Sequence, residues 1–341
     1  MMTTPDGGFC VMTTIQAPTD AMRALAARLS EAEMGFVVVG DAKGPGAYAL
    51  DGTAFLSLAD QLRGPFDLAR ALPTGHYTRK NVGYLHAIAA GAPCLYETDD
   101  DNAPLPVWQR RGPLVSARPV LDGGWVNVYR CFTDALIWPR GLPLDAVGPS
   151  RDHAPALGEV AHYHAPIQQG LANGAPDVDA VWRLLLDTPL QFRQGESVYL
   201  PEGAWCPFNS QSTWWWPEAF PLLYLPSFCS FRMTDIWRSF VAQRCLWAMG
   251  RGLVFHGPEV FQARNEHDLM RDFDDEIPGY RSNRSIANCL EGLTLDKSPK
   301  AVGENLLHCY DALVEAGHFP QEEFDLANVW LSDLKQTLLY D

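Results

Sequence analysis

The chain has 341 residues, 47% of them hydrophobic, with 11 Trp, 11 Tyr and 16 Phe, enough to close a large core, so it is globular and not disordered. A formal net charge of −15 disfavours a general nucleic-acid or acidic-membrane binder, since such proteins gain affinity by neutralising phosphate with Lys and Arg. Eight cysteines without a C-x-x-C pair read as reduced core residues, and no signal-like or membrane-spanning run is visible, so a soluble, cytoplasmic protein is expected.

Residues 1–8 are expected to be disordered. Phe9 to Ile15 reads as a first strand, and Ala17-Pro18-Thr19-Asp20 offers a helix start, with Met22, Leu25, Ala26 and Leu29 forming one apolar stripe. Phe36 to Val39 is a second strand ending at Gly40-Asp41, which makes a parallel βαβ unit with a right-handed crossover. In open parallel sheets ligands sit beyond the carboxyl ends of the strands, which singles out Thr13-Thr14-Ile15, Gly40 to Lys43, and Thr98 to Asn102. Asp41 is suited to a nucleobase or ribose and Lys43 to a phosphate; a turn aspartate beside a surface lysine is the competing reading.

A strand-like run and a helix fill 54–72, and a further helix begins near Thr78-Arg79-Lys80-Asn81. Two cations in a first helical turn oppose the helix dipole, so Arg79 and Lys80 are either phosphate ligands or solvated side chains. Gly91 to Leu95 then leads into Tyr96-Glu97-Thr98-Asp99-Asp100-Asp101-Asn102, an apolar strand ending in an acidic tip. On an extended backbone Asp99 and Asp101 point one way and Asp100 the other. Such carboxylates repel one another unless protonated or offset by a cation, so Asp99 and Asp101 are candidate ligands for a hard divalent ion; a solvated acidic turn is the alternative.

Leu114-Val115-Ser116 and Trp125 to Tyr129 read as paired strands joined at Asp122-Gly123-Gly124, and 139–177, rich in Pro, Gly and His, as loops. His153, His162 and His164 lie there without the cysteines of a familiar zinc site. Asn209, Ser210, Gln211, Ser212 and Thr213 interleave with indoles at Trp205 and Trp214 to Trp216, a pattern suited to a sugar, although core packing is the commoner fate of tryptophan. A long helix begins near Thr234, taken as its cap, and Leu253 to Phe255 is a strand. Arg264 is a phosphate candidate and His267 a further metal ligand; Asp272 to Glu276 is a rival acidic cluster, followed by loops and by helices near 299–316 and 320–339.

Assembled, the blocks VVVGDAK (37–43), RKNVGYLHAI (79–88), YETDDDN (96–102), NGAPDVDAVWRL (173–184), PFNSQST (207–213) and DIWRSFVAQR (235–244) followed by QARNEHD (262–268) resemble the STELLO-type glycosyltransferase-like family, formerly a domain of unknown function. That family is itself similar to plant reversibly glycosylated polypeptides, the UDP-arabinopyranose mutases. The resemblance spans about 9–275 and leaves the closing helices uncovered. It implies an α/β, GT-A-like (Rossmann-like) fold with a mostly parallel central sheet: a nucleotide-binding half at 9–130, an acceptor half at 131–275 and a helical extension at 276–341.

The implied activity is transfer of a sugar from a nucleotide-diphosphate donor, expected to be a UDP sugar, to an unknown acceptor, with Mn²⁺ or Mg²⁺ on the diphosphate. Asp99, Asp101 and His267 would ligate the ion. Thr13, Asp41, Lys43, Arg79, Lys80, Asn81, Asp100, Asn209 and Arg264 would surround the donor. Asp235 is the candidate general base by its place in the motif, with support of the following helix as its other role. A UDP-sugar mutase and a catalytically silent carbohydrate-binding or scaffold protein are the alternative functions.

Overall fold

A computed structural model describes residues 5–151, 153–263 and 268–338. The strands are β1 (Phe9–Thr13), β2 (Gly35–Val39), β3 (Thr53–Leu56), β4 (Leu95–Thr98), β5 (Asn102–Pro104), β6 (Leu114–Pro119) and β7 (Gly124–Trp125). They continue with β8 (Ala161–His164), β9 (Ile167–Gly174), β10 (Ser197–Leu200), β11 (Ala204–Trp205), β12 (Ser212–Trp215) and β13 (Leu253–Gln262). The helices are α1 (Asp20–Glu31), α2 (Leu58–Arg63), α3 (Asp67–Ala71), α4 (Lys80–Ala89), α5 (Leu144–Arg151), α6 (Ala180–Leu185), α7 (Thr234–Ala248), α8 (Leu269–Glu291), α9 (Val302–Glu315) and α10 (Gln321–Leu338).

Among the described residues one eleven-stranded sheet runs β3-β2-β1-β4-β12-β9-β13-β10-β6-β8, with β5 paired to β13. From β3 to β4 every pairing is parallel, including the β1–β2 pair of the expected βαβ unit. Beyond β4 the sheet is mixed: β12 is antiparallel to both neighbours, whereas β9 and β13 are parallel. This is the α/β, GT-A-like architecture the sequence implied, with helices on both faces.

Strand period explains why the first strands read as unbroken apolar runs. Phe9 and Val11 of β1, with Val37 and Val39 of β2, enter one core; Cys10, Met12, Phe36 and Val38 enter the other. α1 covers the second face through Met22, Leu25 and Leu29, while α4 and α7 to α10 cover the first. α4 lies so close to the strands that a Cβ on Gly83 would meet Val39 at 2.5 Å and Val11 at 2.7 Å, so only glycine fits. The same two-sided burial resolves the triple tryptophan: Trp214 and Trp216 pack on one face and Trp215 on the other, all buried. They are sheet core and offer no platform to a sugar.

Several sequence expectations are corrected. Leu114–Pro119 and Gly124–Trp125 are not a hairpin: β6 pairs with β8 and β10, and β7 with β11 in a separate two-stranded sheet. The stretch 139–177 is not all loop, for β9 is an eight-residue central strand. Its Gln168, Gln169 and Gly170 hide the strand from a hydropathy reading; Gln168 is satisfied internally by Gly112, Ala165 and His256. Met233, not Thr234, is the N-cap of α7. Residues 5–8 are ordered: Gly7 N–H donates to the Glu33 carbonyl and Gly8 N–H to that of Pro5. The expected boundary at 275/276 falls inside α8.

Candidate functional site

The parallel strands β1, β2 and β4 end on the same side, where Thr13, Asp41 and Asp99 line a cavity of about 410 Å³. Its lining also includes Lys43, Tyr77, Asp100, Asp101, Arg140, Asp177, Ser210, Arg232 and Asp235. A crevice at the carboxyl ends of parallel strands is where this class of sheet binds ligands.

The acidic tip is a turn, not an extended strand: Asn102 N–H reaches back to the Asp99 carbonyl at 3.3 Å. The expected alternation therefore fails, and Asp99, Asp100 and Asp101 all line the cavity. Each is held separately. Asp99 Oδ1 accepts from the Tyr77 hydroxyl (2.7 Å) and the Lys80 ammonium (3.2 Å). Asp100 Oδ2 accepts from Thr14 (2.5 Å), its carbonyl from Thr19, and Asp101 Oδ2 from Gln262 (2.8 Å). Burial pushes the Asp99 carboxyl up to about 6; Lys80 opposes this and Asp101 adds to it. Burial also raises Asp100, against the Thr14 hydrogen bond.

Of the other expected donor residues, Thr13, Asp41 and Lys43 line the cavity, Lys43 with an exposed side chain. Asp41 has a different immediate task from base or ribose contact. Its Oδ1 accepts from Ala42 N–H and Gly75 N–H and its Oδ2 from His76 N–H, all within 2.9 Å, so it anchors the loop that presents Tyr77.

The RKN block is corrected. Arg79 is wholly buried, donating to Gln61 Oε1 and the Ala69 carbonyl, and does not line the cavity. Asn81 is equally buried, exchanging two 2.9 Å hydrogen bonds with the Leu225 backbone. Lys80 is buried but reaches the tip, donating to Tyr77, the Thr98 carbonyl and Asp99. The apparent conflict with the helix dipole is resolved by acceptors from the protein, not by an anion. Asn209 is also beneath the surface: its Nδ2 donates to Asp177 Oδ2 at 3.0 Å, so it positions that carboxylate. Arg264 and His267 lie outside the described residues.

The opposite wall is a buried ion network. Arg140 donates to Asp177 through Nε and Nη2 (2.7 and 2.9 Å) and to Asp235 through Nη1 and Nη2 (3.0 and 2.9 Å). Burial pulls the Asp235 carboxyl upward, but Arg140, with Arg238 and Arg232 behind it, prevails and holds it below the usual carboxylate range. A carboxylate whose two oxygens are forked by a guanidinium is a weak proton acceptor, which argues against Asp235 as general base and for its supporting role. Asp235 nonetheless faces the tip: Ser210 Oγ lies 3.5 Å from its Oδ2 and 2.5 Å from the Tyr77 hydroxyl.

Sequence reasoning missed Arg140, Tyr77 and the roles of Asp177 and Ser210. Arg140 sits in Trp138-Pro139-Arg140-Gly141, where Pro and Gly masked it as loop, and Tyr77 immediately precedes the RKN helix. Asp177 and Ser210 lay within quoted blocks, and their polarity among apolar neighbours was the available signal.

Among the described residues no three His, Cys, Asp or Glu side chains form a metal-binding group. A magnesium-class ion takes hard oxygen donors and is commonly held by one or two carboxylates, with substrate phosphates and water completing its shell. The two carboxylates Asp99 and Asp101, opening on one cavity, fit that demand in number and chemistry. Among the described residues no helix is long and apolar enough to cross a membrane.

The family model described as STELLO glycosyltransferases matches residues 232–340, which includes the closing helices that the sequence motifs left uncovered. The chain is 28% identical over 321 residues to "Probable glycosyltransferase STELLO1" of Arabidopsis thaliana and 30% identical over 319 residues to "Probable glycosyltransferase STELLO2" of the same plant. Each alignment covers 87% of this chain and 41% of the relative, so the chain spans less than half the length of these relatives. Among solved structures, glucosyl-3-phosphoglycerate synthase from Mycobacterium tuberculosis, crystallised with Mn²⁺, UDP-glucose and phosphoglyceric acid, is similar at 12% identity and a TM-score of 0.39. That match covers 82% of this chain and 80% of the other.

Proposed function

We propose that the chain, similar to the STELLO glycosyltransferases, transfers a sugar from a nucleotide-diphosphate donor, of the UDP class, to an acceptor hydroxyl. The observation that carries the reading is the cavity at the carboxyl ends of β1, β2 and β4, with three consecutive aspartates on its rim. Residues 9–130 would form the donor half, the chain from 131 to β13 the acceptor half, and α8 to α10 would buttress both.

Asp99 and Asp101 would hold a Mn²⁺ or Mg²⁺ ion, which would supply positive charge against the departing diphosphate. Thr13 and Lys43 line the donor side and meet the nucleotide; Asp41 acts one step back by fixing the Gly75–His76 backbone. Asp100 stays bound to Thr14 and keeps the turn in register with β1. Lys80 neutralises part of the tip from below, and Arg140 fixes Asp177 and Asp235 on the acceptor side and holds the Asp235 carboxyl below the usual carboxylate range.

The test is donor hydrolysis. Incubation with a panel of UDP sugars and Mn²⁺, followed by mass spectrometry for UDP, should show release that EDTA abolishes. No UDP from any sugar in the panel would remove the transferase reading, and a change of ring form without UDP release would replace it with a mutase.

A further inference from the structure

The Tyr77 hydroxyl stands between the two walls of the cavity, and its hydrogen bonds cannot all be donated at once. Lys80 Nζ, an ammonium and hence donor only, lies 2.8 Å from it; Asp99 Oδ1 lies at 2.7 Å and Ser210 Oγ at 2.5 Å. The one phenolic proton goes either to Asp99 or to Ser210. Ser210 faces the same choice between Tyr77 and Asp235 Oδ2, 3.5 Å away. Two arrangements satisfy these rules. In one, Tyr77 donates to Asp99 and Ser210 donates to Tyr77. In the other, Tyr77 donates to Ser210 and Ser210 donates to Asp235, leaving Asp99 to Lys80.

We infer that Tyr77 is a positioning residue whose shared hydroxyl couples cation binding at the Asp99–Asp101 turn to the state of Asp235 on the opposite wall. A cation competes with the phenol for the lone pairs of Asp99 and drives the pair of hydroxyls into the second arrangement, which adds a donor to Asp235. The geometry needed for this is built in. Tyr77 follows directly on Gly75 and His76, whose amides are clamped by Asp41, and its ring is buttressed edge-on by Phe231 at 5.7 Å. Ser210 follows Asn209, whose carboxamide is fixed by Gln169 and Asp177. Both hydroxyls are thus delivered by immobile backbone, and only their protons are left to move. The inference rests on the cation-site reading of the tip, and it assigns a role to two residues that this reading does not use.

The experiment is a double-mutant cycle on Mn²⁺ affinity in the presence of UDP, read by calorimetry and by the EPR signal of free Mn²⁺. In the otherwise unaltered protein, Asp235→Asn should weaken Mn²⁺ binding by about fivefold, the scale of coupling between hydrogen-bonded neighbours. With Tyr77→Phe in place the same substitution should weaken it by less than about twofold, because only the direct field of Asp235 remains. Ser210→Ala should reproduce the loss of coupling without touching the tip. A purely structural role would weaken binding equally in both backgrounds. An undiminished Asp235 effect in Tyr77→Phe or Ser210→Ala overturns the coupling alone; absence of Mn²⁺ binding in the unaltered protein overturns the site reading and the coupling with it.

Discussion

Arg79–Asn81 and Asp99–Asp101 are two charged or polar blocks that lie side by side, since α4 begins next to where β4 ends and the Lys80 ammonium touches the Thr98 carbonyl at 2.9 Å. One faces the core and the other the cavity. Arg79 and Asn81 spend their side-chain polar groups on fixed protein acceptors and donors: Gln61, two carbonyls, and the Leu225 backbone. The aspartates instead keep carboxylates on the cavity rim, one of them with its pKa raised to about 6. The lesson is that polarity in a block does not reveal its side of the sheet. What separates the two is whether partners from distant elements have closed around it.

The largest effect should come from breaking the core-facing block. Arg79→Ala would strand Gln61 and the Ala69 carbonyl in a dry interior, and urea unfolding should show a loss of about 3 kcal/mol. Residual folded protein should bind UDP as before; a selective loss of UDP affinity with unchanged stability would return Arg79 to the donor site.

Glu323 sharpens the same contrast, because it fastens the segment that Asn81 holds, accepting from Ser227 N–H and Phe228 N–H as well as from Tyr224. Burial raises its carboxyl from 4.5 to about 7, against those hydrogen bonds. Below pH 4.5 folded and unfolded chains both hold this proton; above it the unfolded chain releases the proton while the folded one retains it, so stability falls until about pH 7 and then levels. Glu323→Gln should flatten that decline, worth on the order of 3 kcal/mol across the window. Identical pH profiles by thermal unfolding would refute the assignment.

Asn81→Ala removes both hydrogen bonds to Leu225 and should cost about 2 kcal/mol. Its Tm should drop without Mn²⁺ or UDP altering the size of the drop, as expected of a residue remote from the cavity. The smallest stability change belongs to the tip: Asp99→Asn/Asp101→Asn should lie within about 1 kcal/mol of the parent, since relief of repulsion offsets the lost Lys80 contact. Its signature is elsewhere, in the disappearance of the Tm rise that Mn²⁺ with UDP gives the parent. A preserved rise would mean that the ion binds away from the tip.

The sequence by itself determined the elements whose signal is local. The parallel βαβ start, the last two helices and the acidic tip are written in periodicity and in Gly, Pro and Asp spacing, and those were legible, whereas α8 was read as an acidic cluster followed by loops. The run of motifs likewise carried the resemblance to the STELLO glycosyltransferases. Tertiary structure alone decided which polar residues face the cavity. β9 is invisible to hydropathy because its glutamines are neutralised by partners such as Gly112 and His256, and Trp214 to Trp216 are placed by a sheet with two buried faces. Arg140 meets Asp177 and Asp235 across 37 and 95 residues of chain, and Tyr77 meets Ser210 across 133. A buried charge is tolerated only where such distant groups converge, and convergence at that separation is a property of the folded sheet, not of any stretch of sequence.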